Sequence, residues 1–244
     1  MSLKFDSSKK LRKEKTKHKV ESWEDYEQRE QVFLKERLAS KEPTISAVVR
    51  VTGGKAKNFQ IEIPRNTRPL TDRMKVRIFD LLREDIAKKS ILDLYAGAGS
   101  FGLEALSRGA KEVTFVDASK QADLIIKKNI AHTGYLPEAE VIKSKVEEFL
   151  QKNITEDKTY DIIFMDPPYK LYNTKRVFKM QETINQTSLL LPGVKTPKKR
   201  VFKGCLIIKH PRRYPIDTLV LEHITRIETY EFGLNSISFF IVKQ

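Results

Sequence analysis

Short apolar runs alternate with helical patterns along most of this chain of 244 residues, and no other feature restricts its fold as strongly. The runs are ILDLY, EVTFVD, AEVIKS, YDIIFMD and CLIIKH. After them, HITRIETYEFGLNSISFFIVK indicates two strands joined by a turn around Gly233 to Asn235. Such alternation is typical of a parallel sheet with helices on both faces. We therefore predict an α/β fold with a doubly wound, mostly parallel sheet of seven strands that ends in an antiparallel hairpin.

The segments between the apolar runs carry helix signals. Thr71 is a candidate N-cap, and Asp72 suits the first turn of the helix that follows it. This first helix has an apolar stripe, which consists of Met74, Ile78, Phe79, Leu81 and Leu82. Further helices are predicted up to Leu106, from Lys120 to Ala131, over Val146 to Leu150, and from Thr174 to Leu191.

The net charge of the chain limits its choice of partners. Lysine and arginine total 46 and aspartate and glutamate total 32, which gives a formal net charge of +14. A charge of this size favours binding to polyanions, and nucleic acids are the obvious class. A lysine-rich surface that only keeps the protein solvated is the alternative.

Two segments precede the α/β region. Residues 1–44 are basic, and apolar residues at helical spacing between Glu21 and Leu38 predict that part of this extension is helical. The extension is either an arm that touches RNA or a flexible tail. In residues 45–64 the runs ISAVVRVTGG and FQIEIP flank a loop, which predicts a β-hairpin. The chain is thus divided into residues 1–44, 45–64 and 65–244.

Several classes of protein and site are disfavoured. No apolar run approaches the roughly 20 residues of a membrane-spanning helix, and no apolar stretch follows the basic N-terminus as in a secretory signal. Cys205 is the single cysteine and lies in an apolar run, so disulfides are excluded and a reducing compartment is favoured. The four histidines are scattered, and no metal site is expected. We predict a cytoplasmic protein.

A glycine-rich turn and an acid at the next strand end indicate a nucleotide-like cofactor. In DLYAGAGSFGLEAL, Asp93, Gly97 and Gly99 lie between a strand and a helix, where glycines let a ligand approach backbone amides. In FVDAS, Asp117 ends the following strand, where a carboxylate can accept hydrogen bonds from ribose hydroxyls or cap the next helix. Both features would also suit a dinucleotide in an oxidoreductase.

The stretch FMDPPY at Phe164 to Tyr169 favours a different reaction. Prolines end the strand and stiffen the turn that carries Asp166 and Tyr169. A ring and a carboxylate held in this way suit a flat heterocycle that bears an amino group, because the ring can stack and the acid can accept from NH2. Enzymes that act on a nucleobase must extrude it from its stack into such a pocket.

The combination of DLYAGAG, FVD and FMDPPY resembles S-adenosylmethionine-dependent amino methyltransferases. More narrowly, TRPLTDRMKVRIFDLL, ILDLYAGAGSFGLEALSRGA and the preceding VRVTGGKAKN resemble the RsmD family, from about Val48 to Val242. That family methylates the exocyclic N2 of a guanine in small-subunit (16S) ribosomal RNA. The resemblance implies a class I methyltransferase domain over residues 65–244, with S-adenosylmethionine as cofactor. It also implies ribosomal RNA or an assembling small ribosomal subunit as partner. We expect a monomer.

The resemblance implies roles for individual residues. Asp166, Pro167 and Tyr169 would receive the target guanine. The residues expected to hold or cover the cofactor are Thr71, Asp72, Arg73, Asp93, Tyr95, Gly97, Gly99, Asp117 and Val146. Candidate contacts to RNA phosphates are Arg50, Lys55, Lys57, Lys170, Lys199 and Arg200.

The chain departs from the family pattern at two places. Lys75-Val76 stands where the family usually has Arg-Glu, so one acid near the cofactor is missing. Lys145 stands where relatives tend to carry an acceptor for the adenine amino group, and lysine cannot accept that hydrogen bond. Adenine recognition would then fall to the backbone around Val146.

Three other functions are consistent with the residues. An amino methyltransferase could act on DNA adenine or cytosine, on transfer RNA, or on another ribosomal site. The chain could also be a catalytically silent RNA-binding protein of the same fold, or an oxidoreductase that uses a nicotinamide cofactor.

Overall fold

The structure is a computed structural model that describes residues 45–65, 67, 69–172, 177–194 and 204–243. The predicted extension, residues 1–44, lies outside this part, so the division of the chain into three segments stays a prediction. The strands are β1 (Ile45–Arg50), β2 (Gln60–Pro64), β3 (Ser90–Leu94), β4 (Glu112–Asp117), β5 (Ala139–Lys143), β6 (Ile162–Met165), β7 (Cys205–Pro211), β8 (Ile224–Phe232) and β9 (Asn235–Val242). The helices are α1 (Asp72–Leu82), α2 (Ser100–Ser107), α3 (Lys120–Thr133), α4 (Val146–Thr155) and α5 (Val177–Ser188).

Seven of the described strands form one sheet, in the order β5-β4-β3-β6-β7-β9-β8. The pairs from β5 to β7 are parallel, and β9 is antiparallel to both β7 and β8. This is the predicted doubly wound sheet with its C-terminal hairpin. The order reverses at β3, because β4 lies on one side of it and β6 on the other, and such a reversal opens a crevice at the carboxyl ends of the strands.

Alternate residues of the central strands supply the two cores that cover the sheet. In β3, Ile91 belongs to the core under α1, α2 and α3, whereas Leu92 and Leu94 belong to the core under α4 and α5. The central strands are buried on both faces, as expected for parallel strands between two helical layers. The sheet is therefore a rigid support for the residues that follow the strand ends.

Helix α1 begins as its sequence predicts, but one residue of the predicted stripe is on the wrong face. The Thr71 hydroxyl caps the helix by accepting from the Met74 N–H at 3.3 Å. Leu81 was expected in the core and is exposed, so this expectation is wrong. The Lys75 side chain is fully buried instead, because its ammonium donates to the Arg50 carbonyl and lies 3.2 Å from Asp72 Oδ1.

Several predicted helix ends move by a few residues. The helix starting at Val146 extends to Thr155 rather than Leu150, and α3 ends at Thr133, where Gly134 adopts a left-handed φ of 80° as the C-cap. Helix α5 ends at Ser188, before the predicted Leu191, and its predicted first residues fall outside the described part. Helix ends depend on capping contacts that periodicity alone does not specify.

The predicted hairpin is present and its loop is bound to helix α2. Strands β1 and β2 pair antiparallel. Thr52 donates its N–H and its hydroxyl to the two carboxylate oxygens of Glu104, both at 2.7 Å. The Lys55 N–H donates to the Ser107 carbonyl at 2.7 Å, which fixes the loop beside the C-terminal end of α2.

Candidate active site

Three acids lie at the carboxyl ends of three adjacent strands. Asp93 is in β3, Asp117 is the last residue of β4, and Asp166 directly follows β6. In the strand register, Leu94 pairs with Val116 on one side and with Met165 on the other, which brings the three strand ends level. The sheet thus brings together the acids that the sequence singled out.

Asp93 is the most deeply buried of the three acids. Its Oδ2 accepts the Gly102 N–H at 3.0 Å. Burial raises the pKa of the Asp93 carboxyl well above its usual value, and the nearby Asp166 and Asp117 charges raise it further against the Gly102 hydrogen bond. Gly102 is required for this approach of α2, since a Cβ there would lie 2.2 Å from the Phe115 ring.

The glycine turn is held against Asp117. The Gly97 N–H donates to Asp117 Oδ2 at 2.9 Å, and the Ser119 N–H donates to Oδ1 at 2.8 Å. Burial raises the pKa of Asp117, and these two hydrogen bonds oppose that shift. Ser119, not Asp117, is the N-cap of α3. The alternative reading of Asp117 as the helix cap is therefore wrong.

A residue that the sequence did not single out covers the glycine turn. Gly97 has a φ of 59°, and a Cβ there would lie 2.5 Å from the Thr67 methyl group. Thr67 precedes Thr71, Asp72 and Arg73, which were expected to close over the cofactor. Thr67 opens the stretch TRPLTDR that resembles the family, but no role was expected for it, because its contact with Gly97 follows from the path of the chain between β2 and α1.

The predicted closing segment is tied to the hairpin. Asp72 accepts from Arg50 Nε at 2.8 Å and lies 3.2 Å from Lys75 Nζ. Burial raises the pKa of Asp72, but the hydrogen bonds from Arg50 and Lys75 outweigh burial and hold it below its usual value. Arg73 and Val76 are exposed. The Arg50 side chain is therefore engaged in an ion pair and lies beside the start of α1.

The residues expected near the adenine lie at the start of α4. Val146 is buried at its first turn, and Lys145 is the N-cap residue without a side-chain capping bond. The Lys145 ammonium points to solvent, where it lies 2.9 Å from Glu148 Oε1, and that contact raises its pKa. Tyr95 is half-buried with a left-handed φ of 59°, which is uncommon for a residue other than glycine. Burial raises the pKa of its hydroxyl.

The Asp-Pro-Pro-Tyr turn continues into a short 3₁₀ helix, Tyr169–Leu171. The Leu171 N–H donates to the Pro168 carbonyl at 2.8 Å, and the Asp166 N–H donates to the Leu94 carbonyl at 3.3 Å. Tyr169 is 41% exposed, and its hydroxyl donates to Oδ1 of Asn235, the first residue of β9. The turn is therefore fixed at both ends while one ring faces outward.

Asp166 has a partner that the sequence did not predict. Lys209 Nζ, from β7, lies 2.6 Å from Asp166 Oδ2. Burial raises the pKa of the Asp166 carboxyl, and the Lys209 ammonium opposes that shift through its charge and its hydrogen bond. The Tyr172 hydroxyl donates to the Lys209 carbonyl at 2.6 Å. The apolar run CLIIKH gave no sign that its lysine faces an acid.

The candidate RNA contacts that the structure describes belong to different elements. Lys55 and Lys57 belong to the hairpin loop that binds the C-terminal end of α2, whereas the glycine turn lies at the N-terminal end of that helix. Lys170 is exposed in the 3₁₀ helix directly after the Asp-Pro-Pro-Tyr turn. Lys199 and Arg200 lie outside the described residues. Of the described candidates, Lys170 is the one that closely follows one of the three acids, Asp166, in the chain.

A surface cavity of about 650 Å³ lies elsewhere, at the C-terminal end of α1. It contains none of the predicted site residues, and its lining consists of Arg77, Phe79, Asp80, Leu81, Arg83 and Arg108. Within the described ranges, no helix is both long and apolar enough to cross a membrane. In the same residues, no group of three or more His, Cys, Asp or Glu side chains is arranged to hold a metal ion.

A comparison with protein families identifies the chain. A family model described as "Conserved hypothetical protein 95" matches residues 49–215, more than half of the sequence. The chain belongs to this family. Curated relatives carry the name "Ribosomal RNA small subunit methyltransferase D", so the resemblance to the RsmD family is confirmed.

Two relatives of this RsmD-type chain illustrate the extent of the similarity. The Escherichia coli (strain K12) protein named Ribosomal RNA small subunit methyltransferase D is 33% identical over 142 residues, which cover 57% of this chain and 67% of the relative. The Bacillus subtilis (strain 168) protein YlbH, a candidate rRNA methyltransferase by name, is 29% identical over 195 residues. That match covers 79% of this chain and 98% of YlbH.

Solved structures share the fold. The candidate methyltransferase yhhF from Escherichia coli aligns with a TM-score of 0.65 at 23% identity, over 81% of this RsmD-type chain and 99% of yhhF. The predicted class I methyltransferase fold, a mostly parallel seven-stranded sheet with an N-terminal hairpin, is confirmed.

Proposed function

We propose that this RsmD-type protein transfers a methyl group from S-adenosylmethionine to the exocyclic N2 of a guanine in small-subunit (16S) ribosomal RNA. The names of its relatives support an rRNA methyltransferase. The substrate would be ribosomal RNA or an assembling small subunit in the cytoplasm, and the enzyme would act as a monomer. One observation carries the proposal: the Asp-Pro-Pro-Tyr turn shares the carboxyl edge of the sheet with the glycine turn and Asp117.

The residues at this edge fit S-adenosylmethionine. The glycine turn presents backbone without Cβ atoms, and Asp117 offers carboxylate oxygens that can accept from ribose hydroxyls beside it. Asp93 and the turn at Gly97 and Gly99 would hold the methionine part, and the backbone at Val146 would meet the adenine, since Lys145 faces solvent. When bound, the cofactor supplies an electrophilic methyl group on a sulfonium.

The chain's own contribution is to orient a weak nucleophile. The guanine N2 lone pair is delocalised into the ring, so the amine reacts only when it is placed in line with the methyl group. Asp166 would accept one N2–H, the Pro167 carbonyl would accept the other, and Tyr169 would stack on the base. Ionised Asp166 would also offset the positive charge that develops on nitrogen as the N–C bond forms and the methyl–sulfur bond breaks. One N2 proton would then be lost to water, which leaves the neutral methylated amine.

Binding of the RNA would rest on basic residues around this pocket. Lys170 supports this part of the proposal, because it is exposed directly after the turn that would hold the base. Lys199 and Arg200 follow in the chain toward β7, and Arg50, Lys55 and Lys57 would contact phosphates further away. Such contacts position RNA without reading its sequence.

The proposal is tested by incubating the protein with labelled S-adenosylmethionine and small ribosomal subunits that lack their native methyl groups, and then mapping the modified nucleotide. The expected product is a single N2-methylguanine in 16S rRNA. Parallel incubations contain DNA or transfer RNA in place of the subunits. If the label appears there or at another ribosomal site instead, the acceptor in this proposal is wrong. Cofactor binding without methylation of any acceptor would favour a silent RNA-binding protein and contradict the proposal.

The assigned role of Asp166 gives a sharper test. Asp166→Ala should lower kcat by about 10²-fold or more, the range seen when one pre-organised electrostatic group is removed. Calorimetric affinity for S-adenosylmethionine should stay within about twofold, because Asp166 is assigned to the base. Asp80→Ala, an exposed acid on α1, is the matched control and should retain full activity. Methylation at the wild-type rate by Asp166→Ala would contradict the assignment.

A further inference from the structure

A buried lysine stands beside the proposed base pocket without a part in the scheme above. Lys209 lies in β7, whose residue Ile208 pairs with Met165 of β6, so Lys209 and Asp166 are the next residues along the two neighbouring strands. The Lys209 side chain is 7% exposed, and its ammonium lies 2.6 Å from Asp166 Oδ2. The geometry is that of a short, charge-assisted hydrogen bond.

The surroundings fix Lys209 in this position. Its strand is paired on both sides, with β6 and with β9, where Ile237 is its partner. The Tyr172 hydroxyl, which follows the Asp-Pro-Pro-Tyr turn, donates to the Lys209 carbonyl. Among the described residues, Asp166 is the acid with which the Lys209 ammonium forms an ion pair. A buried ammonium without a partner is strongly disfavoured, so the charges of Lys209 and Asp166 stabilise each other.

Two features around Asp166, its burial and the nearby acid Asp93, favour the neutral carboxyl, whereas the Lys209 ammonium favours the ionised carboxylate. Asp93, from β3, is a second acid close enough to interact electrostatically with Asp166. The hydroxyl of Tyr172 also lies within electrostatic range of Asp166, but burial raises its pKa, so it stays neutral and adds no charge there. Burial itself favours the neutral carboxyl. Lys209 is the cation among the described groups that acts against these effects.

The ion pair also leaves the two oxygens of Asp166 in different situations. Oδ2 accepts from Lys209, whereas Oδ1 accepts no hydrogen bond within the described part of the chain. One oxygen therefore anchors the carboxylate, and the other is available to a donor that enters the pocket. The N2–H of a guanine is such a donor.

We propose that Lys209 is a positioning residue for the proposed methyl transfer. Its ammonium binds Asp166 Oδ2, keeps the carboxylate ionised and turns Oδ1 toward the amino group of the target base. This inference rests on the proposed function, in which Asp166 accepts from guanine N2. Lys209 would act through Asp166 and would not touch the methyl group or the base.

The test compares Lys209→Met, which keeps an unbranched side chain of nearly the same length without its charge, with Lys209→Arg, which keeps the charge. Titration of the Asp166 carboxyl carbon by NMR should give a midpoint about 1–3 pH units higher in Lys209→Met, since an opposite charge lowers an acid's pKa by about that amount. The acidic limb of the kcat profile should move upward by the same interval, with partial recovery of kcat at high pH. Lys209→Arg should largely restore both.

Lys128→Met is the control, because Lys128 Nζ also lies 2.7 Å from a carboxylate, that of Glu62, but this lysine is 58% exposed and forms its ion pair with an acid other than Asp166. It should leave the Asp166 titration and the pH profile unchanged. If Lys209→Met does not fold, an NMR titration of the wild-type protein tests whether Lys209 senses the charge of Asp166. The Lys209 Cε signal should then change at the midpoint of the Asp166 carboxyl, because the two groups are in contact.

The outcomes separate the two proposals. An unchanged Asp166 midpoint and an unchanged pH profile in folded Lys209→Met would overturn the role of Lys209 even if the enzyme methylates guanine. Absence of any change in the Lys209 Cε signal at the Asp166 midpoint in the wild type would also overturn it. If the wild-type protein methylates no acceptor, the proposed function and the catalytic role of Lys209 both fail. The NMR titration still decides whether Lys209 controls the charge of Asp166.

Discussion

At the scale of single residues, Asp93 is held in a position that suits ligand binding better than it suits stability. The acid is buried beside two further acids, and it accepts the N–H of Gly102. Burial and the charges of Asp166 and Asp117 raise its pKa, so the folded state disfavours the ionised form. Acids with a pKa raised in this way are common at functional sites, where the residue is kept for binding although it costs stability.

Asp93→Asn is therefore expected to stabilise the protein and to weaken cofactor binding. The folded-state pKa of Asp93 is raised, so the folded protein loses stability as pH rises from the usual carboxyl pKa to that raised value. Asparagine has no such loss and can still accept from Gly102. The thermal midpoint, followed by circular dichroism, should exceed that of the wild type above this window by about 2–4 °C for each 1 kcal/mol gained.

The difference between Asp93→Asn and the wild type should vanish at low pH, where both side chains are neutral. The exposed substitution Asp80→Asn serves as control and should follow the wild type at every pH. A midpoint for Asp93→Asn below that of the wild type at neutral pH would show that the carboxylate is stabilising.

At the scale of elements, a buried polar cluster joins the hairpin to α1 and α2. Glu104 on α2 is fully buried, accepts twice from Thr52 and lies 2.9 Å from Arg108 Nε. Lys75 on α1 lies 4.0 Å from the same carboxylate and donates to the Arg50 carbonyl. Charged groups that are buried away from water require hydrogen bonds and ion pairs with one another. The position of the start of α1, near the glycine turn, thus depends on the hairpin.

Glu104→Ala should destabilise the protein strongly. It leaves the buried Lys75 with less compensation and removes both acceptors from Thr52, a change that costs about 3–5 kcal/mol in comparable buried pairs. Urea unfolding measures this free energy. Glu112→Ala, which removes an exposed pair with Lys111, is the control and should change stability by less than about 1 kcal/mol. A similar small effect of Glu104→Ala would mean that the cluster does not hold the hairpin.

At the scale of the whole molecule, the net charge of +14 favours binding to the proposed substrate, which is a polyanion. Binding to small-subunit rRNA should weaken steeply as salt rises, because each phosphate that is neutralised releases counterions. About five phosphate contacts would give a slope near −3.5 in a plot of log K against log salt for single strands. Filter binding over a range of salt concentrations measures it. A flat plot would contradict RNA binding through the basic surface.

Much of the fold and part of the site follow from local sequence. The α/β alternation, the Thr71 cap and the hairpin at residues 45–64 were predictable, since periodicity and capping act within a few residues. The placement of Asp93, Asp117 and Asp166 at one edge also followed, because parallel strands end on the same side of a sheet. On α1 the apolar stripe misplaced one residue, since Leu81 is exposed, and it could not show that Lys75 is buried on the inner face with the Arg50 carbonyl as a distant partner.

The sequence by itself thus determined the family, the strand ends and the identity of the three acids. The tertiary structure decided which distant residues meet them. Lys209 reaches Asp166, Asn235 reaches Tyr169 and Thr67 reaches Gly97 only because the strand order is β3-β6-β7-β9 and the chain returns from β2 over the glycine turn. Periodicity records which face a residue presents to its neighbours in sequence, whereas contacts across strands depend on the order in which those strands pair, and that order is set by packing of the whole sheet.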